Sequence, residues 1–177
     1  MRIKDKEFRT FVSEAELDAI VRRLAAEVSR DYGNVGCGLV VCPVLTGAYM
    51  FAADLLRRLT VACEVSFVRY SSYSGMSSTG EVKCMTPFPP SIEGRDVLIV
   101  EDVIDSGLSM RKMIDQALAQ HPRSVRVCTL FYKPEAFKGD YKVDYIGREI
   151  GNEFIVGYGM DYDEAGRTLP EVMVNVE

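Results

Sequence analysis

Twice in this chain a short, uninterrupted apolar run meets a glycine-bearing turn and then a helical pattern. The first instance is GLVVCPVL (38–45), followed by Thr46-Gly47 and by AYMFAADLLRRL (48–59). The second is the run Val97 to Val100 inside DVLIVEDVIDSGLS (96–109), followed by MRKMIDQALAQ (110–120). In that last segment Met110, Met113, Ile114, Ala117 and Leu118 fall on one stripe. Runs that are apolar at every position suit strands covered on both faces, and such strands usually belong to parallel sheets with helices above and below. The pattern therefore predicts an α/β fold, a mostly parallel twisted sheet flanked by helices, in which ligands bind beyond the carboxyl ends of the strands.

The rest of the chain fits around these units. Ser13-x-x-Glu16 reads as a capping box, and Leu17, Ile20, Val21, Leu24, Ala25 and Val28 follow at helical spacing, predicting a helix over about 13–30 that stops at Gly33. CEVSFVRY (63–70) reads as one strand, SVRVCTLF (124–131) as another, VDYIG (143–147) as a further one, and EFIVGYGMDY (153–162) as a short strand leading into a loop. SSYSGMSSTGEVK (71–83) is serine-rich and nearly free of aliphatic residues, which predicts a loop too long to be a mere connection. With 177 residues, 47% of them hydrophobic, the chain can fill one core, and we expect a single domain over 1–177.

Composition removes several function classes. A net charge of −5 provides no basic footprint, so nucleic acid is not an expected partner. The five cysteines (37, 42, 63, 84 and 128) form no C-x-x-C and have one histidine to join them, which leaves no zinc set. Cys37, Cys42 and Cys128 lie in or beside apolar runs, as small buried hydrophobes do. The charged N-terminus, MRIKDKEFRT, lacks the apolar core of a signal peptide, and a cytoplasmic location is expected. Val35 to Ala53 is uncharged, but Gly36, Gly38, Pro43 and Gly47 divide it into strand, turn and helix start rather than a membrane span.

The chemistry concentrates after Val100. Glu101, Asp102 and Asp105 precede Ser106-Gly107-Leu108-Ser109, a turn that opens a helix and so offers unpaired backbone N–H groups, two hydroxyls and the positive end of a helix dipole. Such a turn suits a phosphate monoester. Carboxylates beside it would repel phosphate unless they bind sugar hydroxyls, a divalent cation or a departing proton, and a ribose 5-phosphate with a cation such as Mg²⁺ nearby supplies the first two. The plainer alternative is an acidic strand end whose Asp105 or Ser106 simply caps the helix.

These residues carry a family resemblance. VLIVEDVIDSGLS resembles the thirteen-residue signature of type I phosphoribosyltransferases, and its Glu-Asp pair with a further Asp resembles the purine branch, the hypoxanthine-guanine phosphoribosyltransferases. VLTGAYMFAADL (44–55) resembles that family's pyrophosphate loop and following helix, SSYSGMSSTGEVK its mobile hood loop, LFYK (130–133) its purine-contacting lysine, and EFIVGYGMDYDEAGRTLPEV (153–172) its C-terminal segment. The resemblance covers about 38–172 and implies a core sheet with a small hood formed by N- and C-terminal segments.

It also implies Mg²⁺-dependent transfer of hypoxanthine or guanine to 5-phosphoribosyl 1-pyrophosphate, giving IMP or GMP and pyrophosphate. Glu101 and Asp102 would hold ribose hydroxyls directly or through Mg²⁺, and Ser106, Gly107, Leu108 and Ser109 the 5-phosphate. Asp105 would be the general base at the purine N7. Thr46, Gly47, Ser72, Tyr73 and Arg167 would bind pyrophosphate. Lys133 would donate to the 6-oxo group, Phe154 would stack on the ring, the Ile155 backbone would meet the purine edge, and Asp161 would lie by the purine and serve a second Mg²⁺. Thr46 departs from the family, whose loop often has a basic residue there, leaving hydroxyl and backbone donors only; the peptide before it can be cis in the family. A non-enzymatic regulator of the same fold would not need Lys133, Phe154, Asp161 and Arg167 in register, and a receiver domain would order its acids differently. A xanthine-preferring relative stays open, because backbone groups read the 2-position. A homo-oligomer, dimer or tetramer, is expected, and the residues do not choose between the two.

Overall fold

The structure is a computed structural model that describes residues 1–34, 36–72 and 82–176, with the backbone alone at 37, 71, 72, 82 and 83. Strands β1 (Arg2–Ile3), β2 (Lys6–Val12), β10 (Ile155–Val156) and β11 (Val172–Asn175) make an antiparallel four-stranded sheet in the order β1-β2-β11-β10. Strands β3 (Leu39–Leu45), β4 (Cys63–Val65), β5 (Val68–Ser72), β6 (Val82–Thr86), β7 (Asp96–Ile104), β8 (Ser124–Tyr132) and β9 (Tyr145–Glu149) make the larger sheet, ordered β6-β5-β3-β7-β8-β9 with β4 also on β3. Every pairing in it is parallel except β5 with β6.

Helices α1 (Glu14–Tyr32) and α2 (Tyr49–Leu56) share one core layer with the sheet; α3 (Leu108–Leu118) shares the other. The capping box forms: the Ser13 side chain accepts from the Glu16 N–H while Glu16 accepts from the Ser13 N–H at 2.9 Å, and Gly33 closes the helix. On α1, Leu17, Val21, Leu24, Ala25 and Val28 are buried; on α3, Met110, Met113, Ile114 and Ala117 are, whereas Leu118 at the end of its stripe is exposed. All five residues from Leu39 to Pro43 are buried, as are those from Asp96 to Val100, so the two apolar runs are the sheet's centre.

Two expectations need correction. The stretch 63–70 is two strands, not one, and the cause is Pro43. Cys63–Val65 pairs with Leu39–Val41, and Val68–Arg69 with Val44–Leu45 in the same register, the gap falling opposite Cys42 and Pro43. Val41 accepts from the Ser66 N–H on this edge at 3.0 Å, and Pro43, two residues on, faces the same edge with no N–H to give. The predicted loop 71–83 is also too long: Ser71 and Ser72 pair with Lys83 and Val82 as an antiparallel ribbon. Tyr73 and the residues to Glu81 lie outside the described residues. The charged N-terminus supplies β1 and β2, which with the C-terminal strands form the expected small hood; Phe8 packs there with Val156 and Met173 into a small core of its own.

Candidate active site

The carboxyl ends of β3 and β7 lie side by side, and each runs into its turn there. Glu101 and Asp102 are both half-buried near the end of β7. The Glu101 carboxylate accepts from the Asp102 N–H at 3.1 Å, and Asp102 accepts from the Val103 N–H at 2.7 Å. Burial, with the Asp102 charge beside it, pushes the Glu101 carboxyl well above its usual range, and burial pushes Asp102 up too. Two adjacent carboxylates short of water call for hydroxyl donors, a proton or a cation.

From Glu101 to Met110 the chain encloses a cavity of about 130 Å³, lined among others by Glu101, Asp105, Ser106, Gly107 and Ser109. Gly107 is the N-cap of α3 at φ 76°, a left-handed conformation glycine alone adopts without cost, and no side chain caps the helix. The plain reading of Asp105 or Ser106 as caps is therefore wrong, and the N–H groups of the first turn remain available to a ligand. Asp105, itself exposed, pairs with Lys133 at 3.1 Å; Lys133 stands at the end of β8, its side chain only 11% exposed.

The turn after β3 faces this one across the sheet. The Leu45–Thr46 peptide is cis. At Gly47 a side chain would overlap the Asp102 carboxylate, so glycine is what lets the loop backbone close on the acid pair. Gly159, at φ 105°, in turn lies so near the Gly47 carbonyl that a Cβ would meet it. The Gly159 N–H donates to the Arg167 carbonyl at 2.9 Å, and the Arg167 guanidinium returns a bond to the Gly159 carbonyl at 3.0 Å. Tyr49 on α2 donates its hydroxyl to the Arg167 carbonyl at 3.3 Å. Arg167 also pairs with Asp161 at 2.9 Å and Glu164 at 3.1 Å, and its positive charge reaches Asp102, favouring the ionised form. Asp161 and Arg167 thus meet each other as a half-buried ion pair, and through Gly159 the pair sits against the loop.

Two further base-binding candidates, Phe154 and Ile155, stand at the smaller sheet. Ile155 is buried in β10, paired with Val174. Phe154 is 45% exposed, with its ring edge-on to Tyr162 at 5.6 Å and 6.2 Å from Phe8, so it is no core residue and offers free ring surface. Ser72 lies in β5, but its side chain is outside the described residues, as is all of Tyr73.

Tyr49 and Gly159 were missed in the sequence, and so was a third group. Segment 137–141 backs the phosphate-type turn, with the Lys138 N–H donating to the Ser106 carbonyl and the Tyr141 hydroxyl to the Gly107 carbonyl, both at 3.0 Å. No spacing rule marks these positions, because they act through backbone contacts. Cys42 and Cys128 are buried and their thiols pushed up by burial, Cys42 to about 12; among the described residues no three His, Cys, Asp or Glu form a metal cluster. No helix among them is long and apolar enough to cross a membrane.

Residues 13–163 match the family model of the phosphoribosyl transferase domain, beginning well before the 38–172 span of the motif resemblance. The chain belongs to the phosphoribosyltransferase family. Hypoxanthine phosphoribosyltransferase of Escherichia coli is 41% identical over 162 residues, 91% of each chain, and that of Buchnera aphidicola 39% identical over 165 residues, 93% of each. The crystal structure of a hypoxanthine-guanine phosphoribosyltransferase from Bacillus anthracis, with a HEPES molecule in its active site, superposes with a TM-score of 0.89 at 37% identity, covering 96% of this chain and 99% of that one. In this phosphoribosyltransferase, then, an α/β fold brings the acid pair, the two turns and Lys133 to one end of the parallel sheet.

Proposed function

We propose that the chain, acting over 1–177 as one phosphoribosyltransferase domain, joins hypoxanthine or guanine to 5-phosphoribosyl 1-pyrophosphate and releases pyrophosphate with IMP or GMP. The observation that carries this reading is the meeting of Lys133 and Asp105 at the lip of a phosphate-sized cavity. One group there can donate to a 6-oxo oxygen, and the other can take a proton from N7. N9 of the base bonds to C1 of the ribose, the C1–O bond to pyrophosphate breaks with its electron pair leaving on oxygen, and N7 gives its proton to Asp105.

Ser106 to Ser109 seat the 5-phosphate on first-turn N–H groups, and Glu101 and Asp102 accept from the ribose hydroxyls. Thr46, Gly47 and Arg167 face the pyrophosphate, Arg167 stabilising charge as it develops on the leaving group. Ser72 and Tyr73 belong to the same subsite by family resemblance alone. Phe154 stacks on the purine and the Ile155 backbone reads its edge. The half-buried acid pair fits Mg²⁺, which needs only one or two carboxylates because it keeps water and substrate oxygens as its other ligands. Held by Glu101 and Asp102, that ion would supply positive charge to the leaving group; Asp161, now paired with Arg167, is the candidate to hold a second. A lysine at the 6-position disfavours adenine, whose amino group is a second donor. The test is a steady-state assay with hypoxanthine, guanine, xanthine and adenine, with and without Mg²⁺. Turnover of hypoxanthine or guanine, lost on chelation and absent with adenine, is expected; equal use of adenine overturns the assignment.

A further inference from the structure

Segment 137–141 is a loop with no evident chemistry, yet it grips the phosphate turn at two consecutive carbonyls. The Lys138 N–H holds the Ser106 oxygen and the Tyr141 hydroxyl holds the Gly107 oxygen, which also accepts the helical bond from the Arg111 N–H at 3.0 Å. In a planar trans peptide the C=O and the following N–H point opposite ways, and the only cis peptide among the described residues is Leu45–Thr46. Fixing the Ser106 and Gly107 carbonyls on one side therefore aims the Gly107 and Leu108 N–H groups to the other.

The packing is close. A side chain at Gly107 would collide with the Phe137 ring and the Tyr141 hydroxyl, and one at Gly139 with the same two rings. Those rings stand edge to face, centroids 5.2 Å apart, and Phe137 meets Tyr132 the same way. Arg111 on α3 pairs with Asp140 at 2.7 Å, tying the helix to the same segment. Burial raises the Tyr141 hydroxyl well above its ordinary value, so it stays protonated and donates at any working pH.

We propose that Tyr141 is a positioning residue for the 5-phosphate: through the Gly107 carbonyl it presets the backbone N–H groups that receive the phosphoryl oxygens. The inference rests on the reading of 106–109 as the phosphate seat. A preset cradle meets its ligand without ordering cost, whereas a free one must be ordered on binding. The Tyr141 hydroxyl is spent on the Gly107 carbonyl, so its removal should affect only ligands that carry the phosphate.

The test compares IMP with inosine, which lacks the phosphate, by calorimetry on the full chain, alongside the KM for 5-phosphoribosyl 1-pyrophosphate. In Tyr141→Phe the ring stays and one hydrogen bond goes. The Kd for IMP and the KM for the phosphorylated sugar should rise about three- to tenfold, while inosine binding, the KM for the base and kcat stay unchanged. Tyr132→Phe, which removes a hydroxyl from the same aromatic cluster, should leave the IMP-to-inosine ratio alone. An unaltered ratio in Tyr141→Phe, or equal weakening of IMP and inosine, overturns the positioning role. If the unsubstituted protein binds IMP and inosine equally, the phosphate seat itself is misread, a failure distinct from the first.

Discussion

At the scale of single residues, the ion pair of Lys133 and Asp105 decides most. Each is the other's partner before any base arrives. Under the proposed function a 6-oxo oxygen would draw the lysine away and leave the carboxylate free for N7, so recognition and proton transfer would fall to one contact. Replacing Asp105 by Asn should lower kcat by roughly 10²–10⁴ and leave the Kd for IMP within a few-fold. Comparable losses in both would move Asp105 from proton transfer to sugar binding. Lys133→Ala should raise the KM for hypoxanthine and narrow the preference over adenine, since an unmet buried donor costs about 1–3 kcal/mol; competition assays with the two bases measure the narrowing. A wide preference kept in Lys133→Ala would place discrimination elsewhere.

At the scale of elements, the two turns after β3 and β7 are built as a pair. Gly47 has its place because the Asp102 carboxylate fills the space a side chain would need, and Gly159 because the Gly47 carbonyl does. Gly47→Ala must push the loop off the acid pair, and a displacement of about 1 Å at a reacting centre costs on the order of 10²-fold in rate. We expect that loss in kcat/KM with little change in melting temperature, measured side by side; full activity would show that the loop has slack. Both turns, α1 with its capping box and the central strands were legible in the sequence, because continuous apolar runs, helical spacing and a capping pair are local signals. What was not legible is long-range. Strand β1, two residues long, has no period to read, and β2 hides in a charged segment because only Phe8 and Val12 of its residues are buried. Arg167 meets Asp161 and Gly159 through a fold-back that no spacing announces, and the break opposite Pro43 shows only once the neighbouring strand is known.

At the scale of the whole molecule, β7 separates chemistry from stability. Its far end begins at Asp96, a buried carboxylate bonded by Arg123 and, at 2.7 Å, by Ser124. The Arg123 bonds hold the Asp96 carboxyl below its ordinary value of 3.8. A lowered folded value means its stabilisation is complete above the unfolded value and is lost as pH falls through the folded one. Asp96→Asn should therefore cost about 1–3 kcal/mol at neutral pH, less as the pH drops below 3.8, and leave KM values unchanged; urea titrations at pH 7 and pH 3 would show it. An equal cost at both pH values would refute the ionic account. The smaller sheet has another consequence, for synthesis. Strand β2, residues 6–12, pairs on one edge with β1 and on the other with β11, residues 172–175. On the ribosome residues 101–109 emerge while β2 still lacks that partner, and the smaller sheet beside Phe154 closes only once residues 172–175 have been made.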